Sequence, residues 1–243
     1  MIMHNFEYVS KEEWKPKRNQ LVEIIHNLQD EVRDSFTFQY HFVGSSKRNM
    51  ITRDRTTNVG FDFDVNIEVN DPYEVYSPKE IRDILREGLN RVTHPYGYSI
   101  FGYDYTEDSS RVLTIKVKDK SKSMILYSCD FCIVNECSNG RQLYIRYNKK
   151  QNTYSWEYQP KGYMKLPAKI DWIKKHGLWQ EVREYYLYKK NINNNPDKHS
   201  RTIFAETIHE IWQKYISKKT GIKVIWYLFK LYWIIILFWT RFK

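Results

Sequence analysis

Two carboxylates at alternate positions, Asp62 and Asp64, a third acid, Asp130, set in a mostly apolar run, and a Gly44-Ser45 turn upstream of all three are the residues of this sequence whose types and spacing could do chemistry. In a strand, residues i and i+2 point to one face about 7 Å apart, so Asp62, Asp64 and Asn66 share a face while Phe61, Phe63 and Val65 line the other. An acid such as Asp130, flanked by Cys129 and Phe131, is costly to bury unless it is paired or binds a cation. Three such acids brought together would suit a hard divalent cation, because Mg²⁺ prefers carboxylate oxygens and keeps water or phosphate in its other positions. Two cations bridged by shared carboxylates activate an attacking hydroxyl and stabilise a leaving pyrophosphate. Gly44 and Ser45 would supply N–H and hydroxyl donors to phosphates, above all if a helix begins there. The competing reading is a solvated strand face and an ordinary turn; the order of turn, acid pair and later acid is what favours chemistry.

The acids can meet only if their strands are neighbours in one sheet. Phe36, Phe38, Tyr40 and Phe42 alternate with polar residues and deliver a strand directly into Gly44-Ser45-Ser46. The polar run from Lys47 to Asn58 reads as a loop, and the strand holding Asp62 and Asp64 follows. Strands are also expected over 111–118, 124–134, 142–147 and 153–158, with 94–110, rich in Gly, Tyr and Asp, as a loop or hairpin tip. On the 124–134 strand, Leu126, Ser128, Asp130 and Cys132 share a face.

Helices flank these strands. Leu21, Ile24, Ile25, Leu28 and Val32 give a buried stripe to a helix from about Pro16 to Asp34. Ser77-Pro78-Lys79-Glu80 combines an N-cap, a proline at the first helical position and a glutamate at the third, opening a helix to about Val92 with Ile81, Ile84, Leu85 and Leu89 inward. From Pro167 the pattern turns helical: to His176-Gly177, then Leu178 to Lys190, then, after the Asn193-Asn194-Asn195-Pro196 break, Lys198 to Lys218.

Gly44-Ser45, then Asp62-Phe63-Asp64, then Asp130 within Tyr127-Ser128-Cys129-Asp130-Phe131 together resemble the pattern of the polymerase-β-like minimal nucleotidyltransferases, nearest the branch of oligoadenylate synthases and bacterial cyclic-oligonucleotide synthases (CD-NTase-like). The resemblance covers roughly residues 17 to 217, and its motif core is 42–69 with 124–134. It implies an α+β, two-lobed nucleotidyltransferase fold: a mixed β-sheet with flanking helices in a catalytic core over 1–160, a C-terminal helical lobe over 161–219 closing over the nucleotide, and a hydrophobic, basic-flanked tail over 220–243. It further implies Mg²⁺ or Mn²⁺ held by Asp62, Asp64 and Asp130, with Asp130 assisting deprotonation of the acceptor, and a donor NTP triphosphate at Gly44 and Ser45. The reaction implied moves an NMP from an NTP, ATP among them, to a hydroxyl of a nucleotide, an RNA or a protein, releasing pyrophosphate; a nucleotide second messenger is the favoured product. The gap between Ser45 and Asp62 is longer than in the smallest members of the superfamily, which argues for a longer loop around the nucleotide.

Weaker candidates for phosphate contact are Lys47, Arg48, Arg53 and Arg55 in the loop and Lys169, Lys198 and Arg201 in the helical third, each with a solvated-surface reading beside it. The net charge of +10 invites a polyanion partner, yet six of those charges fall in 218–243, leaving +4 for the other 217 residues and disfavouring RNA. Cys129, Cys132 and Cys137 lie close together and no basic-then-apolar leader is read, so a reducing cytoplasm is the expected setting. A zinc pair at Cys129 and Cys132 lacks a fourth ligand nearby, and a strand sends residues three apart to opposite faces, so ordinary buried thiols are expected. His209-Glu210 has no partner at the spacing a zinc hydrolase needs.

Val224 to Trp239 is 16 residues with one charge, Lys230. As a helix it measures about 24 Å, short of the roughly 30 Å hydrocarbon core. Three readings stand: membrane contact through 222–243, spanning or interfacial; a final helix packed on the protein; or an appendage outside catalysis. Two rival functions stand beside nucleotidyl transfer: a nucleotide-binding module without turnover, and a membrane-associated interaction protein whose acids are structural.

Overall fold

The computed structural model describes residues 4–71, 74–137, 140–159 and 166–217. The expectations for the apolar tail fall outside that set. Among the described residues no helix is long and apolar enough to cross a membrane. Chain packing divides the protein into two compact units, Met1–Lys161 and Gly162–Lys243.

The first unit runs β1 (Phe6–Tyr8), α1 (Lys11–Glu31), β2 (Thr37–Val43), α2 (Gly44–Lys47), β3 (Thr52–Asp54), β4 (Val59–Asn70), α3 (Pro78–Thr93), β5 (Glu107–Asp108), β6 (Leu113–Asp119), β7 (Met124–Glu136), β8 (Gln142–Asn148) and β9 (Thr153–Tyr158). Seven strands form one mixed sheet in the order β2-β4-β7-β6-β5, with β8 on the far end of β7 and β9 beside it. β4 and β7 are parallel; the other pairs are antiparallel. This is the α+β mixed sheet with flanking helices that the resemblance implied.

One sheet face is apolar and carries the core. Phe61, Phe63, Val65 and Ile67 of β4, Tyr127, Cys129, Phe131 and Ile133 of β7, and Leu113 and Ile115 of β6 are buried with Leu21, Ile24, Ile25 and Leu28 of α1 and Ile81, Leu85 and Leu89 of α3. The two helices approach closely because α3 offers Gly88 at the crossing: a Cβ there would lie 2.7 Å from Leu28 Cδ1. α3 opens on the capping box read from the sequence, with the Ser77 hydroxyl accepting from the Glu80 N–H and the Glu80 carboxylate accepting from the Ser77 N–H.

The start of α1 differs from the reading. It begins at Lys11, capped by Ser10, and Pro16 lies inside it rather than at its first turn. The run 47–58 is also more than a loop, because β3 pairs with β1 as a separate two-stranded sheet. Asp54 fastens that sheet: it accepts from the N–H groups of Asn5 and Thr56 and from the Thr56 hydroxyl, and lies 2.6 Å from His4 Nδ1. Arg82 on α3, wholly buried, fastens another corner through Asp108 (2.6 Å) and the carbonyls of Val112, Ser109 and Ile145.

The second unit holds α4 (Leu166–Lys175), α5 (Trp179–Ile192) and α6 (200–217). Ile173, Val182, Tyr186, Ile203, Phe204, Ile208 and Ile211 are buried in it. Gly177, at φ +70°, follows the end of α4, where the sequence reading ended that helix at His176-Gly177.

Candidate active site

The parallel pairing of β4 with β7 sets Asp64 directly opposite Asp130 and Asp62 directly opposite Ser128. Register partners in a sheet share a face, so all three acids lie on the face away from the core, Asp64 and Asp130 side by side and Asp62 two residues along β4. The antiparallel pairing of β6 continues the same rows, placing Thr114 beside Asp130 and Lys116 beside Ser128. One row across the sheet therefore reads Thr114, Asp130, Asp64, Val43. Val43 ends β2, so the turn that follows lies against Asp64.

That turn is built around Gly44. Its φ of +62° is a left-handed conformation that glycine tolerates without steric cost, and a Cβ on it would lie 2.1 Å from Asp64 Oδ2. A short helix, Gly44–Lys47, begins at this point, held by the Ser46 hydroxyl donating to the Val43 carbonyl at 2.9 Å. The Ser45 N–H donates to the Asp64 carboxylate. The turn and the acid pair are thus one structure.

Crowding of carboxylates has an electrostatic consequence. Burial first, then the charges of Asp130 and Asp62, push Asp64 up to about 6, against the opposing pull of Arg48 and the Ser45 N–H. Asp130 is raised too, mainly by burial; the Thr114 hydroxyl, donating to its Oδ1 at 2.6 Å, works the other way. Asp62 accepts a hydrogen bond from the Ser128 hydroxyl.

Neither a protein-family model nor a curated protein matches the sequence. Solved structures do match. The 3′-deoxy GTP bound form of Vibrio cholerae DncV aligns with a TM-score of 0.51 at 13% identity, over 83% of this chain and 52% of that one. The GTP bound and 3′-deoxy ATP bound forms of the same protein align at 0.50, with 13% and 14% identity and the same coverage. This chain has the nucleotidyltransferase fold. It spans about half the length of the DncV chains it matches.

Within the nucleotidyltransferase fold, the five residues singled out from sequence, Gly44, Ser45, Asp62, Asp64 and Asp130, come together at the β2–α2 turn and the adjoining face of β4 and β7. As a donor set, three carboxylates that repel one another suit a hard divalent cation. Among the described residues, however, no three His, Cys, Asp or Glu side chains converge as a ready-made cation cage. Each acid here is turned to a donor of its own: Asp62 to Ser128, Asp64 to Ser45, Asp130 to Thr114.

The weaker candidates separate. Arg53 pairs with Glu7 at 2.8 Å and Glu13 at 2.5 Å, fastening β1 and α1 to β3, and Arg55, just past β3, pairs with Glu7 at 2.7 Å. Lys198 pairs with Glu206, and Lys169 lies 2.7 Å from His209 Nδ1. Arg48 acts on Asp64 through its charge, and Lys47 is exposed on α2. Cys129 faces the core and Cys132 the opposite face, as a strand requires. Burial pushes the Cys129 thiol up and Cys132 up to about 11, the reverse of what a zinc thiolate needs. The sequence reading missed Thr114 and Ser128 as partners of the acids. The signal for Ser128 was its shared face with Asp130 on one strand, and Thr114 showed only as a polar position of the neighbouring half-exposed strand.

Proposed function

We propose that this chain transfers a nucleoside monophosphate from a nucleoside triphosphate to a hydroxyl, releasing pyrophosphate. The observation that carries the reading is the row Asp130–Asp64 with Asp62 beside it, packed against a turn whose glycine leaves no room for a side chain. Asp62, Asp64 and Asp130 would hold Mg²⁺ or Mn²⁺, which when bound polarises phosphoryl oxygens and lowers the pKa of the attacking hydroxyl. The chain's own part is positional and electrostatic. Gly44 lets the turn close on Asp64, and Gly44 with the Ser45 hydroxyl would serve the triphosphate oxygens, the Ser45 N–H being given to Asp64. Asp130, whose Oδ1 accepts from the Thr114 hydroxyl, would assist deprotonation of the acceptor hydroxyl, and burial, which raises its pKa, favours its taking a proton.

DncV is described as a cyclic AMP-GMP synthase, which favours a nucleotide hydroxyl as acceptor and a nucleotide second messenger as product. The +4 charge of the main body supports the same choice over RNA. A cytoplasmic setting with membrane contact through 222–243 belongs to this reading and is tested by cosedimentation of the full chain with vesicles.

The test is incubation with labelled ATP, GTP, CTP and UTP and either Mg²⁺ or Mn²⁺, comparing wild type with Asp62→Ala/Asp64→Ala. Cation-dependent product and pyrophosphate from wild type alone is the expected result. Product that persists in the double variant would refute the assignment, and nucleotide binding without pyrophosphate would make the chain a binding module.

A further inference from the structure

Most arginines of the first unit pair with a carboxylate, Arg53, Arg82 and Arg146 among them. Arg111 is exposed, and among the described residues no carboxylate pairs with it and no acceptor takes its N–H groups. Its guanidinium lies over the ring of Tyr144, 5.2 Å from the centroid. Tyr144 is 2% exposed and is the register partner of Val134, which shares its face of β7 with Asp130 and Cys132. The guanidinium is therefore seated on a ring that belongs to the acid-bearing face of the sheet. The backbone beneath it is fixed. β6 leaves the edge of β7 at Leu113 and Phe131, β8 takes that edge up at Tyr144 and Val134, and the turn over Ser109–Val112 stands in the gap beside Cys132. The Ser109 N–H donates to the Val112 carbonyl at 3.1 Å, the Tyr147 N–H to the Ser110 carbonyl at 2.8 Å, and buried Arg82 to the carbonyls of Ser109 and Val112. The charge of Arg111 also reaches the Cys132 thiol, where with Arg82 it pulls against the burial that raises it. Cys132 follows Asp130 by two residues on the same face, about 7 Å along the strand.

We infer that Arg111, seated on Tyr144, binds a phosphate of the acceptor, so that the hydroxyl receiving the nucleotidyl group belongs to a free nucleotide bearing a phosphate of its own. This deepens the nucleotidyl-transfer reading and rests on it. That reading puts the donor triphosphate at Gly44 and Ser45, past the β2 end of the row that holds Asp64 and Asp130. Arg111 stands beyond the other edge of β7, on the Asp130 side. An acceptor whose hydroxyl meets Asp130 thus extends toward Arg111 and away from the donor. A planar, permanently charged fork matches two phosphate oxygens at once, and stacking on an aromatic ring leaves that fork open while limiting its freedom. A protein hydroxyl brings no such anion. A nucleic-acid backbone needs a track of cations, whereas Glu107 and Glu157 share this face with the three aspartates.

The experiment gives the full chain a labelled 2′,3′-dideoxynucleoside triphosphate as donor, which has no ribose hydroxyl to accept with, in MgCl₂ or MnCl₂. Adenosine, guanosine and their 5′-monophosphates are the acceptors, for wild type, Arg111→Ala and Arg111→Lys, with thermal melts on the same samples. Wild type should prefer the monophosphates, with a KM below that of the matching nucleosides. A charge-assisted contact to phosphate is worth roughly 10- to 100-fold, so the ratio of the two KM values should shrink by that factor in Arg111→Ala. Arg111→Lys, which keeps the charge and loses the fork, should fall between the two. Wild type that uses nucleosides as well as monophosphates, or an Arg111→Ala variant with the wild-type ratio, overturns the role of Arg111 and leaves nucleotidyl transfer standing. So does label that passes only to an added RNA or to the protein itself, and so does a loss that is equal for nucleoside and monophosphate and follows a fall in melting temperature. Wild type that transfers label to none of these acceptors overturns the function reading, and the role of Arg111 with it.

Discussion

Replacing Asp64 by asparagine should make the cation-free protein more stable at neutral pH while abolishing its chemistry. Asp64 is raised from an ordinary 3.8 to about 6 by burial and by the charges of Asp130 and Asp62. A carboxyl whose folded pKa lies above its unfolded one binds more protons in the fold than out of it across that interval, so stability falls as pH rises from about 4 to 6. At about 1.4 kcal/mol per unit, the folded state at pH 7 carries a burden of up to about 3 kcal/mol that is absent below pH 4. Asparagine keeps the shape, and its amide oxygen can accept the Ser45 N–H, but it never ionises. In a chain of this size about 3 kcal/mol corresponds to roughly 6–12 °C in melting temperature. The assay is thermal unfolding of wild type and Asp64→Asn in EDTA from pH 4 to 8, repeated with MgCl₂. The two melts should coincide near pH 4 and separate above pH 6, and MgCl₂ should raise the wild type alone. A variant no more stable than wild type at pH 8, or a gain independent of pH, would refute the reasoning.

Three further outcomes follow from the same geometry. Gly44→Ala places a Cβ 2.1 Å from Asp64 Oδ2 at a φ of +62°, so pyrophosphate release should fall about a hundredfold or more; activity within a few-fold of wild type would mean the turn is not part of the site. Arg82→Met takes the buried guanidinium away from Asp108, which keeps Arg86 and the Tyr154 hydroxyl, and from three backbone carbonyls; it should cost about 3–5 kcal/mol in urea unfolding, part of it regained in the double variant with Asp108→Asn; a cost under about 1 kcal/mol would show the pair to be dispensable. Asp54 is held down to about 2, against the pull of burial, by the N–H groups of Asn5 and Thr56, the Thr56 hydroxyl and His4. Its contribution of about 2 kcal/mol is present above pH 4 and lost as pH falls through 2, opposite in sign to Asp64, so Asp54→Asn should lower the urea midpoint at pH 7 and leave it unchanged near pH 2.

Elements with strong local signals were legible from sequence almost to the residue. The capping box of α3 and the apolar stripes of α1 and α3 are stated outright by residue type and spacing. β4 likewise shows its two faces in alternation, which placed Asp62 and Asp64 together on one face before any pairing was known, whereas Asp130 stood in a mostly apolar run with Leu126, Ser128 and Cys132 on its face. What sequence could not supply is register. That Asp64 meets Asp130 rather than Ser128 depends on how two strands slide past one another, and a single chain carries no local mark of it. β1 and β3 were missed because three residues such as Thr52-Arg53-Asp54 have no apolar alternation; ion pairs and the hydrogen bonds of Asp54 hold them. The start of α1 was misplaced because Pro16 mimics a first-turn proline, and the Ser10 cap six residues earlier carries less weight by type.

The parallel junction of β4 and β7 also bears on when the site comes into being. Asp64 and Asp130 are 66 positions apart in the chain, and they become neighbours only when the helix α3 and the β5–β6 hairpin between them have been looped out and the two strands have zipped. Contacts of such sequence separation form late, since the entropy of closing the loop is spent before the pairing returns anything. The acids repel one another at that same step, so the slow event in folding and the assembly of the site coincide. A nascent or partly unfolded chain holds scattered carboxylates with no shared face, and the candidate site exists only once its sheet is finished.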